Sequence, residues 1–189
     1  MRILVDCDGV LFQFTEALSK YLVDRGYDYT IDKFDAYDLQ KCLEPKHHWL
    51  IPAAASNKQF CVSIPRYEGA QQFLKELKKR GHEITLVTHF WTGPHWHQTR
   101  AESIDSLLSA KMLEDTPWHW ASPEERVEFE ADILIDDRPA TCGMWARKGK
   151  PALMPVRRWN SYTNPEASPG FIHRGASYDH MLNLIDKLK

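Results

Sequence analysis

The sequence predicts an α/β fold: a parallel sheet flanked by helices, with a small helical insertion after the first strand. Three observations carry that expectation. Short apolar, β-branched runs recur along the chain and each stops at polar residues, as strands buried on both faces of a sheet do. Amphipathic helical stretches separate these runs, and strand–helix alternation favours parallel pairing. Between the first run and the second lies far more chain than one crossover helix consumes, leaving about fifty residues over.

The first strand is Ile3-Leu4-Val5, within "RILVDCDGVLF" (Arg2 to Phe12), and it runs into Asp6 and Asp8. "EITLVTH" (Glu83 to His89) and "DILIDD" (Asp132 to Asp137) repeat the pattern, and "PALMP" (Pro151 to Pro155) is a fourth, fainter instance. Ala70, Phe73, Leu74 and Leu77 form an apolar stripe at helical spacing over Tyr67 to Arg80. Lys78, Lys79 and Arg80, then Gly81, supply the cationic last turn and the C-terminal stop. Met181, Leu184, Ile185 and Leu188 mark a closing helix behind Ser177. Residues 1–13 and 65–189 are thus expected to form the core, and residues 14–64 a helical cap. Inside the cap, "FTEALSKYLVDRG" reads as a helix ended by Gly26; Thr30, Pro45 and Pro52 punctuate shorter helical pieces.

Composition narrows the function. The chain has 189 residues, enough for one full core, and a formal net charge of −2, which provides no basic field for bulk nucleic acid. No apolar stretch approaches the ~20 residues that cross a bilayer, and the opening lacks the charged and apolar regions of a secretion signal. No membrane association and a cytoplasmic location are therefore expected. Cys7, Cys42, Cys61 and Cys142 are scattered without a C-x-x-C pair, as structural thiols in a reducing compartment would be. Nothing in the chain decides whether it forms a homo-oligomer.

The chemistry gathers at strand ends. In open parallel sheets the ligand crevice lies beyond the carboxyl ends of the strands, and that edge receives Asp6 and Asp8, Thr88, and Asp136 with Asp137. Four converging carboxylates repel one another unless a cation sits among them, and hard oxygen ligands suit Mg²⁺, which leaves positions for water and a phosphate. Singly, an Asp-Asp pair at a strand end is usually a turn or helix cap, and a strand-ending Thr is usually structural. Their recurrence on successive strands is what points to a site. Gly9 permits a sharp turn after Asp8, a reading that an ordinary turn glycine shares.

"DCDGV" (Asp6 to Val10), "LVTH" (Leu86 to His89) and "ILIDDRP" (Ile133 to Pro139) resemble three motifs of the haloacid dehalogenase superfamily of phosphotransferases. "DDRP" and "IPRYEGAQQFLKEL" are most similar to the 5′(3′)-deoxyribonucleotidases within it. The resemblance implies a Rossmann-like core and a Mg²⁺-dependent phosphatase. In that chemistry Asp6 attacks phosphorus, and Asp8 protonates the leaving oxygen and then activates water. It also implies a metal held by the Asp6 carboxylate, the Asp8 backbone carbonyl and the Asp136/Asp137 pair, and phosphate oxygens held by Thr88, His89 and a cation ten residues before Asp136. That position is Arg126, where the family has Lys; the charge is kept and the geometry changes. "SPEE" (Ser122 to Glu125) reads as cap, N1 proline and capping-box Glu, which places Arg126 in a helical turn.

Asp8 favours phosphate-ester hydrolysis over carbon–halogen cleavage, since an alkoxide needs a proton on leaving and a halide does not. The expected substrate is a small phosphate ester, a nucleoside or deoxynucleoside monophosphate; a sugar phosphate or other metabolite would use the same core residues. A non-catalytic binding module on this fold would not need both a nucleophile and an acid. Phe34, Tyr37, Trp49 and Phe60 in the cap and Phe90, Trp91 and Trp96 after Thr88 are rings able to stack on a base, with Trp49 and Trp91 the candidates, although rings also fill small cores. His89, His95 and His97 are read as loop residues rather than metal ligands, because hard Mg²⁺ does not favour imidazole. Arg157 and Arg158 are either a reach to a second phosphate or a solvated basic turn.

Overall fold

The computed structural model describes residues 1–161 and 171–189. Six parallel strands form one sheet in the order β3-β2-β1-β4-β5-β6, with β1 Arg2–Asp6, β2 Glu83–Thr88, β3 Trp118–Trp120, β4 Ile133–Ile135, β5 Ala152–Pro155 and β6 Ile172–Gly175. The chain builds outward from β1 to one edge, then returns to β4 and builds to the other. The topological reversal therefore falls between β1 and β4, where open α/β sheets form their ligand crevice.

Alternate residues of the central strands enter two separate apolar layers. Ile3 and Val5 of β1, Ile84 and Leu86 of β2, and Ile133 and Ile135 of β4 pack on one face; Leu4, Val87 and Leu134 pack on the other. Strands buried on both faces have no polar side to show, which is why their sequences read as continuous apolar runs. The first face is covered by α4 (Ala70–Lys79) and α8 (Tyr178–Lys187). The second is covered by α7 (Pro139–Arg147) through Cys142 and Trp145. Ser177 caps α8 by accepting from the His180 N–H (3.1 Å), as its position before the stripe predicts.

Between β1 and α4 every regular element is helical: α1 Phe14–Val23, α2 Leu50–Ala55, α3 Lys58–Ser63 and three short 3₁₀ turns. Their apolar side chains Leu18, Leu22, Phe34, Leu50 and Phe60 belong to the same apolar cluster as Ile3 and Val5 of β1. The remaining helices are α5 (Trp96–Leu108) and the one-turn α6 (Pro123–Arg126). Cys7, Cys42, Cys61 and Cys142 are all unpaired. No helix among the described residues is long and apolar enough to cross a membrane.

Two strands have no counterpart in the sequence expectations. β3 is three residues of "WHW" at a sheet edge, too short to show a period, and β6 is "IHRG", whose middle residues are polar.

Candidate active site

Strand register sets the geometry. Val5 of β1 pairs with Ile135 of β4 and Asp6 pairs with Val87 of β2, so Asp6, Asp136 and Thr88 leave three adjacent strands at nearly one level. Asp137 follows directly. One carboxylate oxygen from each of Asp6, Asp136 and Asp137 lies within 4.8 Å of the others, and all three residues are buried. Turn and cap bonds hold the groups in place. The Cys7 N–H donates to Asp6 Oδ1 (2.7 Å), the Arg138 N–H to Asp136 Oδ1 (2.8 Å), and the Trp159 indole N–H to Asp137 Oδ2 (2.6 Å).

Gly9 lies at φ +72°, and a Cβ there would collide with the Asp137 carboxylate. Both conformation and space therefore require glycine. Arg157 is drawn inward: its Nε donates to the Gly9 carbonyl at 2.7 Å and its guanidinium lies 4.0 Å from the Tyr67 ring centre. It braces the turn after Asp8, a role that neither reading of the sequence gave it, while Arg158 stays exposed.

Arg126 bridges the acids. The predicted capping box is present, with the Glu125 N–H donating to Ser122 Oγ (3.2 Å) and the Ser122 N–H to Glu125 Oε2 (2.7 Å). The helical turn so fixed delivers the Arg126 guanidinium to Asp6 Oδ2 at 2.8 Å and Asp136 Oδ2 at 2.7 Å. One guanidinium does not balance three carboxylates. Burial raises the Asp6 carboxyl well above its usual range; Arg126 opposes this, while Asp136, Asp137 and Asp8 add to it. Asp137 is pushed up to about 8, by burial first and by Asp136 next.

Fully ionised, the three carboxylates would exceed the one guanidinium by two negative charges in a buried, all-oxygen cluster. Its donor set and charge fit a hard divalent cation such as Mg²⁺. Beside the cluster, Thr88 Oγ1 and Arg126 Nε are buried with no hydrogen-bond partner among the described residues, a state that a bound ligand relieves.

Asp8 lines a cavity of about 530 Å³ that opens over this edge. The core contributes Gly9, Asp137 and Arg138, the helical insertion Phe14, Tyr37 and Gln40, and the loop after β2 His89 and Trp91. Trp91 stacks on Phe14 with ring centres 5.6 Å apart and planes 6° from parallel. The Arg138 guanidinium lies 5.2 Å from the Tyr37 ring centre. His89 lines the cavity, but desolvation and then Arg126 lower its pKa, so its ring is neutral at pH 7. Trp49 is not brought to the cavity: it precedes α2 with 57% of its surface exposed. Phe34, Phe60 and Trp96 are buried in the apolar core.

One site residue has no trace in the sequence pattern. Arg100 of α5 is 3% exposed, and its Nη2 lies 2.5 Å from Asp8 Oδ1.

No protein-family model matches the chain. A curated protein of Chlorobaculum tepidum, provisionally named a 5′(3′)-deoxyribonucleotidase, is 23% identical over 96 residues, 51% of this chain; the match spans 46% of that protein, about half its length. Among solved structures, a hydrolase from Pseudomonas syringae superposes with a TM-score of 0.60 at 13% identity, covering 98% of both chains. A haloacid dehalogenase family hydrolase from Deinococcus radiodurans R1 with bound phosphate and sodium gives 0.60 at 11% identity, over 98% of this chain and 95% of that one. The D,D-heptose 1,7-bisphosphate phosphatase of Burkholderia thailandensis gives 0.58 at 9% identity, over 97% of both. The chain has the fold of the haloacid dehalogenase superfamily of hydrolases.

Proposed function

We propose that the chain is a Mg²⁺-dependent phosphomonoester hydrolase acting on nucleoside or deoxynucleoside monophosphates, with residues 14–64 as the cap over its site. The observation that carries the reading is the buried trio Asp6, Asp136 and Asp137 at the carboxyl ends of β1 and β4, with the cavity-lining Asp8 two residues after Asp6. The Asp6, Asp136 and Asp137 carboxylates and the Asp8 carbonyl would hold a Mg²⁺, which when bound would neutralise charge on the transferring phosphoryl group.

Asp6 Oδ attacks phosphorus in line, forming the Asp6 O–P bond as the ester P–O bond breaks. The Asp8 carboxyl gives its proton to the departing ester oxygen, which leaves as an alcohol. Asp8, now a carboxylate, takes a proton from the water whose oxygen attacks phosphorus; Asp6 is released with inorganic phosphate. The Thr88 hydroxyl and Arg126 Nε, which have no partner among the described residues, would hold phosphoryl oxygens as charge shifts onto them.

Support for the nucleotide comes from the aromatic cavity wall of Trp91 and Phe14 and from the C. tepidum protein's name. The Burkholderia phosphatase, by its name, acts on a sugar phosphate, so sugar phosphates are the second class to test. Four unpaired thiols support a cytoplasmic location. The deciding experiment measures phosphate release across nucleotides, sugar phosphates and other phosphorylated metabolites with Mg²⁺. Turnover concentrated on nucleoside monophosphates is expected. Turnover confined to sugar phosphates overturns the nucleotide assignment, and none on any ester overturns the phosphatase reading.

A further inference from the structure

Among the described residues, the buried cation Arg100 forms one ion pair, with the side chain two residues beyond the nucleophile position. Its Nη2 lies 2.5 Å from Asp8 Oδ1, and only 2% of its side chain is exposed. The Phe12 and Trp96 ring centres lie 4.8 and 4.6 Å from its guanidinium carbon. Such packing holds an arginine in one place and keeps water from taking over its hydrogen bond. Its Nε and Nη1 have no partner among the described residues. Among the described residues it has a single charged partner, and a buried ion pair of this kind is weak evidence for a role in stability.

The two oxygens of Asp8 are unequal as a result. Oδ1 accepts from Arg100, whereas Oδ2 is shielded from solvent and has no partner among the described residues. Resting on the phosphatase reading above, we propose that Arg100 is the positioning residue for Asp8. It anchors Oδ1 and so fixes the plane of the carboxyl group that passes a proton to the leaving oxygen and later takes one from water. Arg100 does this from α5, and Trp96 of the same helix packs edge-on against Phe14 of α1 (5.7 Å between ring centres), so the anchor is tied to the helical insertion as well as to the core. No step assigns Arg100 a contact with substrate.

The test compares wild type, Arg100→Gln, Arg100→Lys, Asp8→Asn and the Arg100→Gln/Asp8→Asn double variant. Each is assayed with Mg²⁺ on a nucleoside 5′-monophosphate and on p-nitrophenyl phosphate, whose phenolate leaves without a proton. Arg100→Gln is expected to lower kcat on the alkyl ester about 10- to 100-fold, much less on the aryl ester, with KM changed less than about twofold. Arg100→Lys should recover part of the loss. In the Asp8→Asn background Arg100→Gln should add little, since both remove one function. Binding of inorganic phosphate, measured by calorimetry, should be unchanged in Arg100→Gln because that ligand has no leaving group.

Equal losses on both esters, or losses that add to those of Asp8→Asn, overturn the proposal and leave Arg100 a packing residue. A wild type inactive on both esters instead overturns the phosphatase reading, and the role of Arg100 with it. Should Arg100→Gln fail to fold, Arg100→Lys decides: the leaving-group dependence supports the proposal, and uniform loss overturns it.

Discussion

The Arg126 guanidinium stands 2.8 Å from the Asp6 carboxylate, and both side chains are almost fully withdrawn from solvent. In water such a pair contributes little, but here removal of Arg126 would leave buried carboxylates without the cation that bridges them. Arg126 opposes the burial that raises the Asp6 carboxyl, and the same cation holds Asp136 at 2.7 Å. The same contact makes Arg126 part of the folding energetics as well as of the site.

Arg126→Met is therefore expected to destabilise the protein by about 3–5 kcal/mol, the range for breaking a buried pair by removing one partner. Arg126→Lys keeps the charge on a side chain of different reach and shape and should fall between. Chemical denaturation of the three proteins in metal-free buffer measures both; a Met variant as stable as wild type refutes the role.

Asp6→Asn separates activity from stability. Loss of the nucleophile should lower turnover by several orders of magnitude, while removing one of three crowded carboxylates should hold or raise the melting temperature. A folded variant with substantial phosphatase activity would eliminate the route through Asp6.

Divalent binding is read without turnover. Mg²⁺ at a hundredfold excess over its dissociation constant should stabilise the protein by about 2.7 kcal/mol. Gly9→Ala, which drives a Cβ into the Asp137 carboxylate from a backbone at φ +72°, should abolish most of that increment and lower the metal-free melting temperature as well. Thermal melts with and without Mg²⁺ test both; undiminished stabilisation of Gly9→Ala by Mg²⁺ would place the ion elsewhere.

How far the sequence revealed this site depends on the range of the interactions. Asp6, Thr88, Asp136 and Asp137 could be read because strand ends in a parallel sheet converge by topology, and Arg126 because its capping box is local to Ser122–Glu125. Arg100 could not: its partner is 92 positions away, and on α5 it sits among polar residues that give the helix no clear apolar stripe. Arg157 was visible as a charge, but its inward course to Gly9 depends on packing against Tyr67. The strands β3 and β6 were missed because pairing with neighbours, rather than their own patterns, makes them strands.

His82 supplies a pH dependence outside the site. It is 3% exposed, and neither ring nitrogen has a hydrogen-bond partner among the described residues. Burial, followed by Lys189 and the N-terminal amine, lowers its pKa below the usual 6.5. Below the unfolded value the unfolded chain takes up a proton that the folded one resists, so stability is full above that pH and is lost as pH falls. Melting temperatures from about pH 7.5 down to about pH 5 should drop less steeply in His82→Leu than in wild type. Parallel curves would remove His82 as the cause.

The two tryptophans considered as base-stacking rings now make different predictions. Trp91 lines the cavity with one face stacked on Phe14, whereas Trp49 lies outside the cavity and is 57% exposed. A ring anchored on Phe14 loses little freedom when a second flat group meets it, so its contact can discriminate between leaving groups that share one reacting centre. Stacking is worth roughly 1–3 kcal/mol per base by alanine substitution, or about 5- to 100-fold in relative kcat/KM. Trp91→Ala should thus reduce the preference for a deoxynucleoside monophosphate over ribose 5-phosphate by that factor, acting on the nucleotide alone. Trp49→Ala should leave the ratio unchanged. A wild type without nucleotide preference, or a ratio that responds to Trp49 and not Trp91, would mean that this wall of the cavity does not read the base.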